Sequence, residues 1–208
     1  MRIIETKSFD DLKKHPEYKR LIAFIRYGAV FIYPTDTIYG IGCNALKDKS
    51  VQKIRLIKMR DSKPFSVIAP SKKWIFANCI VKSAHKKFLD KLPGRYTLIF
   101  RLKKKNAVSR YVNITGINPK NNVQTLGVRI PAHFISKITA ELNVPIVTTS
   151  VNLTGKKNIA SLNELNHLEN KRIVDGVDFI IYAGKKDGKP STIVDLTSEE
   201  AVIIKRKR

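Results

Sequence analysis

Residues 29–39 read AVFIYPTDTIY, an apolar run that ends at a proline and continues in small polar residues. A short apolar run with β-branched and aromatic residues predicts a buried strand over Ala29–Tyr33. Pro34 cannot donate a ladder hydrogen bond, so we expect the strand to end there. The residues that follow, as far as Tyr39, predict a loop at a strand end. Such loops are where open α/β sheets bind ligands.

The rest of the chain alternates between strand and helix patterns. Apolar runs predict further strands at Phe65–Ala69, Tyr96–Leu102, Leu126–Ile130, Pro145–Thr149, Ile173–Ala183, Thr192–Leu196 and Ala201–Ile204. Helical spacing of apolar residues predicts helices at Pro16–Tyr27, Ser50–Arg60, Ser71–Asn78, Ser83–Leu92, Ala132–Leu142 and Ser161–Leu168. Lys103–Gln124 is polar and basic and predicts a long surface segment. This interleaving predicts one α/β domain on a mostly mixed, twisted sheet.

Charge is the unusual feature of the composition. The chain has 208 residues, and its 43% hydrophobic content excludes a disordered protein. Lys and Arg number 40 against 17 Asp and Glu, a formal net charge of +23. Such a field favours anionic partners such as nucleotides, RNA or a membrane surface, although a lysine-rich genomic composition gives the same excess. Residues 1–10 lack an apolar targeting segment and no apolar run could span a bilayer, so we expect a cytoplasmic protein.

Two familiar patterns do not carry a function here. Residues 40–45, GIGCNA, have the spacing of a dinucleotide-binding fingerprint, and Asp61 lies at a suitable distance. A loop separates them from the preceding strand and the next helix begins later, so we expect no dinucleotide site. Cys43 and Cys79 lack the paired spacing of a zinc or redox site and are expected to be buried. No protein metal ligand can be identified.

Three small-polar loops each adjoin a predicted strand: residues 33–39, 148–155 and 189–192. Their hydroxyls and amides can bind phosphate or carboxylate oxygens without being ionised. Ordinary turns use the same residue types, so one such loop alone is weak evidence. Lys58 and Arg60, at the end of a predicted helix, add a mobile point charge and a rigid guanidinium fork. Alone, they would be partners of the helix dipole.

Six motifs occur in order: YPTDTIYG at 33–40, KMR at 58–60, LPGRYT at 92–97, GVRIP at 127–131, TSVNLTG at 149–155 and PSTIVD at 190–195. Together they resemble the YrdC/Sua5/YciO family, whose characterised members are threonylcarbamoyl-AMP synthases. The resemblance implies a twisted open α/β sheet around a basic cavity. It points to the short YrdC-like form, so we expect residues 1–208 to be one domain without the C-terminal domain of the Sua5 type.

The resemblance implies a nucleotidyltransferase. It would join L-threonine, bicarbonate and ATP into threonylcarbamoyl-adenylate and release pyrophosphate, with Mg²⁺ on the phosphates. Because every participant is anionic, the reaction needs fixed positive charge. By the resemblance, Arg60 would hold the threonine carboxylate and Lys58 would bridge bicarbonate and the α-phosphate. We expect both on an exposed cavity wall. Downstream threonylcarbamoyl-transferase proteins would use the product to modify tRNA.

The same resemblance implies further binding residues. Ser150 and Asn152 would bind the nucleotide phosphates, and Thr35 and Ser191 would line the threonine end. The weaker candidates, which could equally be structural, are Tyr39 and Arg129.

Alternative functions stay open at this point. Met59 stands where a Gly is common between the Lys and the Arg, which is typical of the YciO branch, and Arg95 replaces a usual Pro. A YciO-like RNA-binding protein without synthase activity is therefore one alternative. A carbamoyl-transfer module is another, although such modules sit in much longer chains. The intact Ser150-x-Asn152 pair favours the synthase. An RNA surface would gather Lys103, Lys104, Lys105, Arg110 and the Lys205–Arg208 tail on one face.

Overall fold

The computed structural model describes residues 2–60, 62–114, 117–118, 123–152, 159–165, 170–186 and 188–205. Within these ranges, twelve strands form one mixed sheet. They are β1 (Arg2–Glu5), β2 (Phe31–Tyr33), β3 (Gly40–Gly42), β4 (Ser66–Ile68), β5 (Cys79–Ile80), β6 (Tyr96–Leu102), β7 (Ile117–Asn118), β8 (Val123–Arg129), β9 (Ile146–Ser150), β10 (Phe179–Tyr182), β11 (Thr192–Asp195) and β12 (Val202–Ile204). Their spatial order is β1-β10-β2-β3-β9-β4-β8-β6-β11-β12, with β5 beside β6 and β7 beside β8. The predicted mixed α/β sheet is confirmed.

Helices flank the sheet. They are α1 (Phe9–Lys14), α2 (Tyr18–Tyr27), α3 (Asp48–Lys58), α4 (Lys72–Asn78), α5 (Lys86–Leu89), α6 (Ile135–Leu142), α7 (Leu162–Leu165) and α8 (Lys171–Gly176). Along β2, Phe31 and Tyr33 join one apolar cluster with α2 and α6, and Ile32 joins a second cluster with α3. Because successive strand residues point to opposite faces, β2 is buried on both sides, which explains its unbroken apolar run. Across the described ranges, no helix has the length and apolar character that a bilayer span requires.

The end of α3 leads the chain from the helical layer into the sheet. Val51, Ile54 and Ile57 are buried and fix the inner face of the helix. Met59 then takes a left-handed conformation with φ of 50°, and the Arg60 amide donates a hydrogen bond to the Arg55 carbonyl. This reversal ends the helix. As a result, the side chains of Lys58 and Arg60 extend in different directions.

The glycine pattern at residues 40–45 is a strand rather than a phosphate-binding loop. Gly40 and Gly42 belong to β3, which pairs with β2 and with β9. A Cβ at Gly42 would lie 1.9 Å from the Val147 carbonyl oxygen, and one at Gly40 would lie 2.9 Å from the Tyr33 ring. Both glycines are therefore required by close packing. Residues 40–42 thus form a strand, α3 begins only at Asp48, and Asp61 lies outside the described residues.

Two predictions of secondary structure need correction, and some elements were not predicted. The first fifteen residues contain β1 and α1, which the sequence patterns did not indicate. The predicted strand at Ile173–Ala183 is wrong over its first part, because residues 173–176 belong to α8 and only β10 is a strand. The predicted helix at Ser83–Leu92 is a 3₁₀ turn at residues 83–85 followed by α5. Of the predicted helix Ser161–Leu168, residues 166–168 lie outside the described part of the chain.

Candidate active site

A cavity of about 360 Å³ lies over the middle of the sheet. Ser66, Thr97, Gly127 and Thr148, on four different strands, are among the residues that line it. A Cβ at position 127 would lie 2.5 Å from Ser66 Oγ, so glycine keeps this part open. The other lining residues include members of the loop after β2, the segment after α3, the end of β9 and residues 190–191, together with further residues of β6, β8 and β11. The structure therefore brings residues from all three predicted polar loops into one cavity.

Arg60 lies in the cavity wall, as predicted. Its guanidinium donates to the Lys63 carbonyl at 3.0 Å, to the Pro64 carbonyl at 2.5 Å and to Thr149 Oγ1 at 3.2 Å. The guanidinium carbon lies 4.9 Å from the centroid of the Phe65 ring. Burial, with the nearby charge of Arg55, lowers the pKa of Arg60 to about 10, so Arg60 is cationic at neutral pH. These contacts hold a cation beside the end of β9.

Lys58 does not lie on an exposed wall, and that prediction is wrong. Its side chain is 2% exposed and packs behind the cavity. The ammonium donates to the Ser150 carbonyl at 2.5 Å, to the Asn152 carbonyl at 2.6 Å and to Asn152 Oδ1 at 3.1 Å. Burial, with the charge of Arg60, lowers the pKa of Lys58 to about 7. The helix reversal at Met59 is the reason why Lys58 and Arg60 reach the site from different sides.

Ser150 and Asn152 are joined to each other as well as to Lys58. Ser150 Oγ donates to Asn152 Oδ1 at 2.6 Å, and Ser150 lines the cavity. The predicted nucleotide-binding residues thus form one hydrogen-bonded network with the lysine. The last residues of the TSVNLTG motif, 153–155, lie outside the described part of the chain.

Arg55 is a site residue that the sequence analysis missed. It is 7% exposed and donates to the Tyr111 carbonyl at 2.7 Å and to the Arg60 carbonyl at 3.0 Å. These bonds hold the segment that carries Arg60. A signal was present in the sequence: Val51, Arg55 and Lys58 are spaced by four and three residues, so one helix face carries a buried Val and both cations.

The loop after β2 is closed by its own hydroxyl groups. Thr35 Oγ1 accepts from the Thr37 amide at 3.1 Å and from the Ile38 amide at 3.2 Å, and it donates to the Ile38 carbonyl at 2.7 Å. Thr35 is 2% exposed and lines the cavity. Thr35 therefore shapes the wall, because its hydroxyl is already engaged within the loop.

Asp36 ties the same loop to the neighbouring strand, and the sequence analysis assigned it no role. Its carboxylate accepts from Arg129 Nη2 at 2.7 Å and from the Ala132 amide at 3.0 Å. The two side chains are 7% and 8% exposed, so this is a buried ion pair. Arg129 also donates to Thr37 Oγ1 at 3.4 Å and lines the cavity. Arg129, a weaker candidate from the sequence, therefore has both a structural contact and a place in the wall.

Ser191 and Tyr39 also lie at the cavity. Ser191 Oγ and Thr97 Oγ1 are 2.8 Å apart and form a buried hydrogen bond. Because Leu98 pairs with Val128 in the antiparallel β6–β8 ladder, Thr97 lies next to Arg129. The Tyr39 hydroxyl donates to the Gly184 carbonyl at 2.7 Å and accepts from the Ala183 amide at 3.0 Å. Tyr39 therefore anchors its loop, which is the structural role left open for it.

The cavity thus has two differently built sides. One, the Arg60 side, comprises Arg60, Ser150 and Asn152 with Lys58 behind them. The other, the Arg129 side, comprises Thr35, Thr37, Thr97, Arg129 and Ser191, with Asp36 paired to Arg129 and not itself in the lining. Each side holds a cation with hydroxyl groups, an arrangement suited to two anionic groups bound near each other.

Two members of the predicted RNA surface, Lys103 and Lys205, lie level with opposite ends of β6. Lys103 follows the last residue of β6, whereas Lys205 follows β12, whose Ile204 pairs with Ile193, which pairs with Thr97 near the start of β6. At about 3.3 Å per residue, the two lysines are about 20 Å apart along the strands. Residues 206–208 lie outside the described part of the chain. The buried positions of Cys43 and Cys79 agree with the prediction for them.

Comparison with known proteins identifies the family. The model of the Sua5/YciO/YrdC family, described as "telomere recombination", matches residues 23–207. The chain belongs to this family. A Methanocaldococcus jannaschii protein, provisionally named a threonylcarbamoyl-AMP synthase, is 35% identical over 197 residues, covering 91% of this chain and 86% of its own.

Solved structures share the fold. Pyrococcus abyssi Sua5 complexed with L-threonine superposes with a TM-score of 0.77 at 26% identity, covering 98% of this chain and 56% of that one. This chain therefore spans little more than half of that protein. Escherichia coli YciO superposes with a TM-score of 0.76 at 24% identity, covering 98% of this chain and 93% of that one. At that identity the second likeness concerns the fold alone.

Proposed function

We propose that this chain is a threonylcarbamoyl-AMP synthase. The threonine amine takes up bicarbonate, with loss of water, to give a carbamate. A carbamate oxygen then attacks the α-phosphorus of ATP, and the bond from that phosphorus to the pyrophosphate oxygen breaks. Pyrophosphate leaves, and threonylcarbamoyl-adenylate remains. Downstream transferase proteins would pass the threonylcarbamoyl group to tRNA.

The observation that carries this proposal is the meeting of Arg60 with the Lys58–Ser150–Asn152 network at one cavity. Attack of one anion on another is slow unless fixed charges offset their repulsion. Arg60 in the wall supplies fixed positive potential where the triphosphate would lie, and Lys58 behind it adds to this potential in its protonated form. The names of the relatives support the same reaction, and the threonine complex of Pyrococcus abyssi Sua5 supports a threonine site.

The two sides of the cavity suit the two substrates. Arg60 contacts Thr149, the neighbour of Ser150, and so belongs with the residues expected to bind phosphate. Arg129 lies beside Thr97 and its partner Ser191, at the expected threonine end. We therefore assign the threonine carboxylate to Arg129 in preference to the Arg60 of the sequence-based expectation. A carbamate formed between the two sides would lie near the α-phosphate.

Mg²⁺ is proposed to enter with ATP. No carboxylate is found among the described residues that line the cavity, and the described residues contain no cluster of three metal-binding side chains. The side chains in hand therefore do not fit a resident metal ion. The triphosphate itself would provide the oxygen ligands that Mg²⁺ prefers.

The alternative of an RNA-binding protein without synthase activity is not favoured. Three curated relatives, from Methanocaldococcus jannaschii, Pyrococcus abyssi and cattle, carry the synthase name. The pair Ser150 and Asn152 is present, and Ser150 lines the cavity.

The test is product formation by the purified chain. We expect pyrophosphate release from ATP to require both threonine and bicarbonate, and chromatography to show threonylcarbamoyl-adenylate. Arg60→Ala should abolish the product. Arg26→Ala, which removes an exposed arginine on α2, is the matched control and should retain activity. Pyrophosphate release that ignores threonine would refute the proposal.

A further inference from the structure

We propose that Lys58 is a positioning residue that acts from behind the cavity, where it holds the turn at residues 150–152 and frees the Ser150 hydroxyl to bind an anionic ligand. The inference deepens the proposed function, on which its ligand assignment rests. The contacts of Lys58 with this turn are present in the free protein and need no substrate.

The geometry leaves little scope for direct contact between Lys58 and a substrate. Among the described residues, the Lys58 amine donates to three acceptors, Ser150 O, Asn152 O and Asn152 Oδ1. All three acceptors belong to one turn, and two of them are main-chain carbonyls. The side chain is 2% exposed. A charge so buried is costly unless its hydrogen bonds are kept, so ligand binding should leave them in place.

The network also sets the direction of the Ser150 hydroxyl. Asn152 Oδ1 can only accept, so in the 2.6 Å contact Ser150 must be the donor. A phosphate oxygen is also an acceptor, and Ser150 can donate to it only after its O–H turns away from Asn152. This rotation of the hydroxyl would normally leave Asn152 Oδ1 without a donor, but Lys58 still donates to that oxygen. Lys58 thus makes the hydroxyl available at small cost.

The position of the turn supports this role. The Val151 amide donates to the Tyr39 carbonyl at 3.2 Å, so the turn is anchored to the loop wall on its other side. Among the described contacts, Lys58 is the cation that bonds to the carbonyl groups of this turn. Without the lysine, the carbonyls of residues 150 and 152 would lose a shared partner, and the turn would loosen around Ser150.

The experiment replaces Lys58 with methionine, a neutral side chain of similar length. Hydrogen exchange of the free protein should rise about tenfold or more in a peptide covering residues 147–152 and stay unchanged in one covering β6. The KM for ATP should rise about tenfold, the size expected for a lost charged hydrogen bond, while the affinity for threonine is kept. Lys53→Met is the matched control on the same helix, because Lys53 is exposed and pairs only at the surface with Asp178.

A double-variant cycle separates positioning from direct contact. If Lys58 acts through the turn, Lys58→Met should cost about threefold or less in ATP affinity once Asn152→Ala is present. If Lys58 touches the substrate, the two losses should multiply. Lys58→Gln, whose side-chain amide keeps two N–H donors, should give an intermediate exchange rate and serves as a second variant in case the methionine variant does not fold.

The outcomes are distinct. Unchanged exchange at residues 147–152 together with multiplied losses would overturn the positioning role. A wild-type chain that makes no adenylate would refute the proposed function instead, since the exchange measurement needs no substrate. The inference is supported if exchange in Lys58→Met is faster only at residues 147–152 and if Lys58→Gln partly restores the slow exchange. This holds whether or not the wild-type chain makes the adenylate.

Discussion

The two sides of the cavity use similar residues in different ways. On the Arg60 side, Ser150 and Asn152 are supported by a buried ammonium from another layer of the fold. On the Arg129 side, Thr35 satisfies its hydroxyl within its own loop, and Asp36 pairs with Arg129. One side therefore depends on a long-range charge and the other on short-range hydrogen bonds and one ion pair. Small-polar loops that look alike in sequence thus differ in how they are held.

The largest effect is expected from the ion pair on the Arg129 side. Asp36→Asn leaves Arg129 buried without its carboxylate partner, so the free energy of unfolding should fall by about 3–5 kcal/mol. Chemical denaturation measures this directly. A matched change at an exposed pair, Asp90→Asn, which pairs with Lys72 at 4.0 Å, should cost no more than about 1 kcal/mol. A loss below about 1 kcal/mol in Asp36→Asn would show that the loop is held by its hydroxyl groups alone.

The next effect concerns Arg60. Arg60→Lys should lower kcat/KM about a hundredfold, because one ammonium cannot replace a planar fork bonded to two carbonyls and a hydroxyl. The loss should appear in ATP binding more than in threonine binding. Steady-state kinetics with each substrate varied in turn distinguishes the two, and a selective loss of threonine affinity would return the carboxylate role to Arg60.

A smaller effect should appear in the pH dependence of stability. Burial lowers the pKa of Lys58 from its ordinary 10.5 to about 7, with Arg60 as the charged neighbour. Between these values the unfolded chain binds more protons at this amine than the folded chain does. Its contribution to the free energy of unfolding therefore rises with pH, by at most about 1.4 kcal/mol per pH unit. Denaturation of the wild type and of Lys58→Met, from about pH 7 to about pH 9.5, should show a widening difference. A constant difference would contradict the lowered pKa.

The smallest effect concerns the surface charge and leaves both sides of the cavity untouched. We expect nonspecific affinity for tRNA, with log affinity falling by roughly 0.7–0.9 per phosphate contact for each unit of log salt. Replacing Lys103, Lys104 and Lys105 with Gln should flatten this slope without changing adenylate synthesis. Filter binding at low salt measures it, and the absence of tRNA retention would assign the charge to composition.

The sequence predicted the parts of the fold whose signals are local. The apolar runs at residues 29–33 and 96–102 and the helical face of α3 all appear in the structure. β3 was missed because glycine has a low strand propensity, and this strand depends on its pairing with β2 and β9. β1 was missed because four residues of strand depend on parallel pairing with β10, far along the chain.

The same limit applies to the site. The motifs placed Arg60, Ser150 and Thr35 at one cavity, as the structure shows. The burial of Lys58 depends on acceptors 92 and 94 residues away, which no local pattern encodes. A cation at a helix C-terminus is usually a solvated partner of the helix dipole. That general rule gave no reason to expect that the Lys58 side chain is buried.

The most direct test of the difference between the two sides is calorimetry on Asn152→Ala. Removal of its side chain should weaken ATP binding by about 1–3 kcal/mol, the usual range for a lost polar contact to a charged group, and should leave threonine binding unchanged. This result would place the nucleotide on the side that Lys58 supports. Unchanged ATP affinity with lost threonine affinity would show that the two substrates occupy the opposite sides, and would contradict the account.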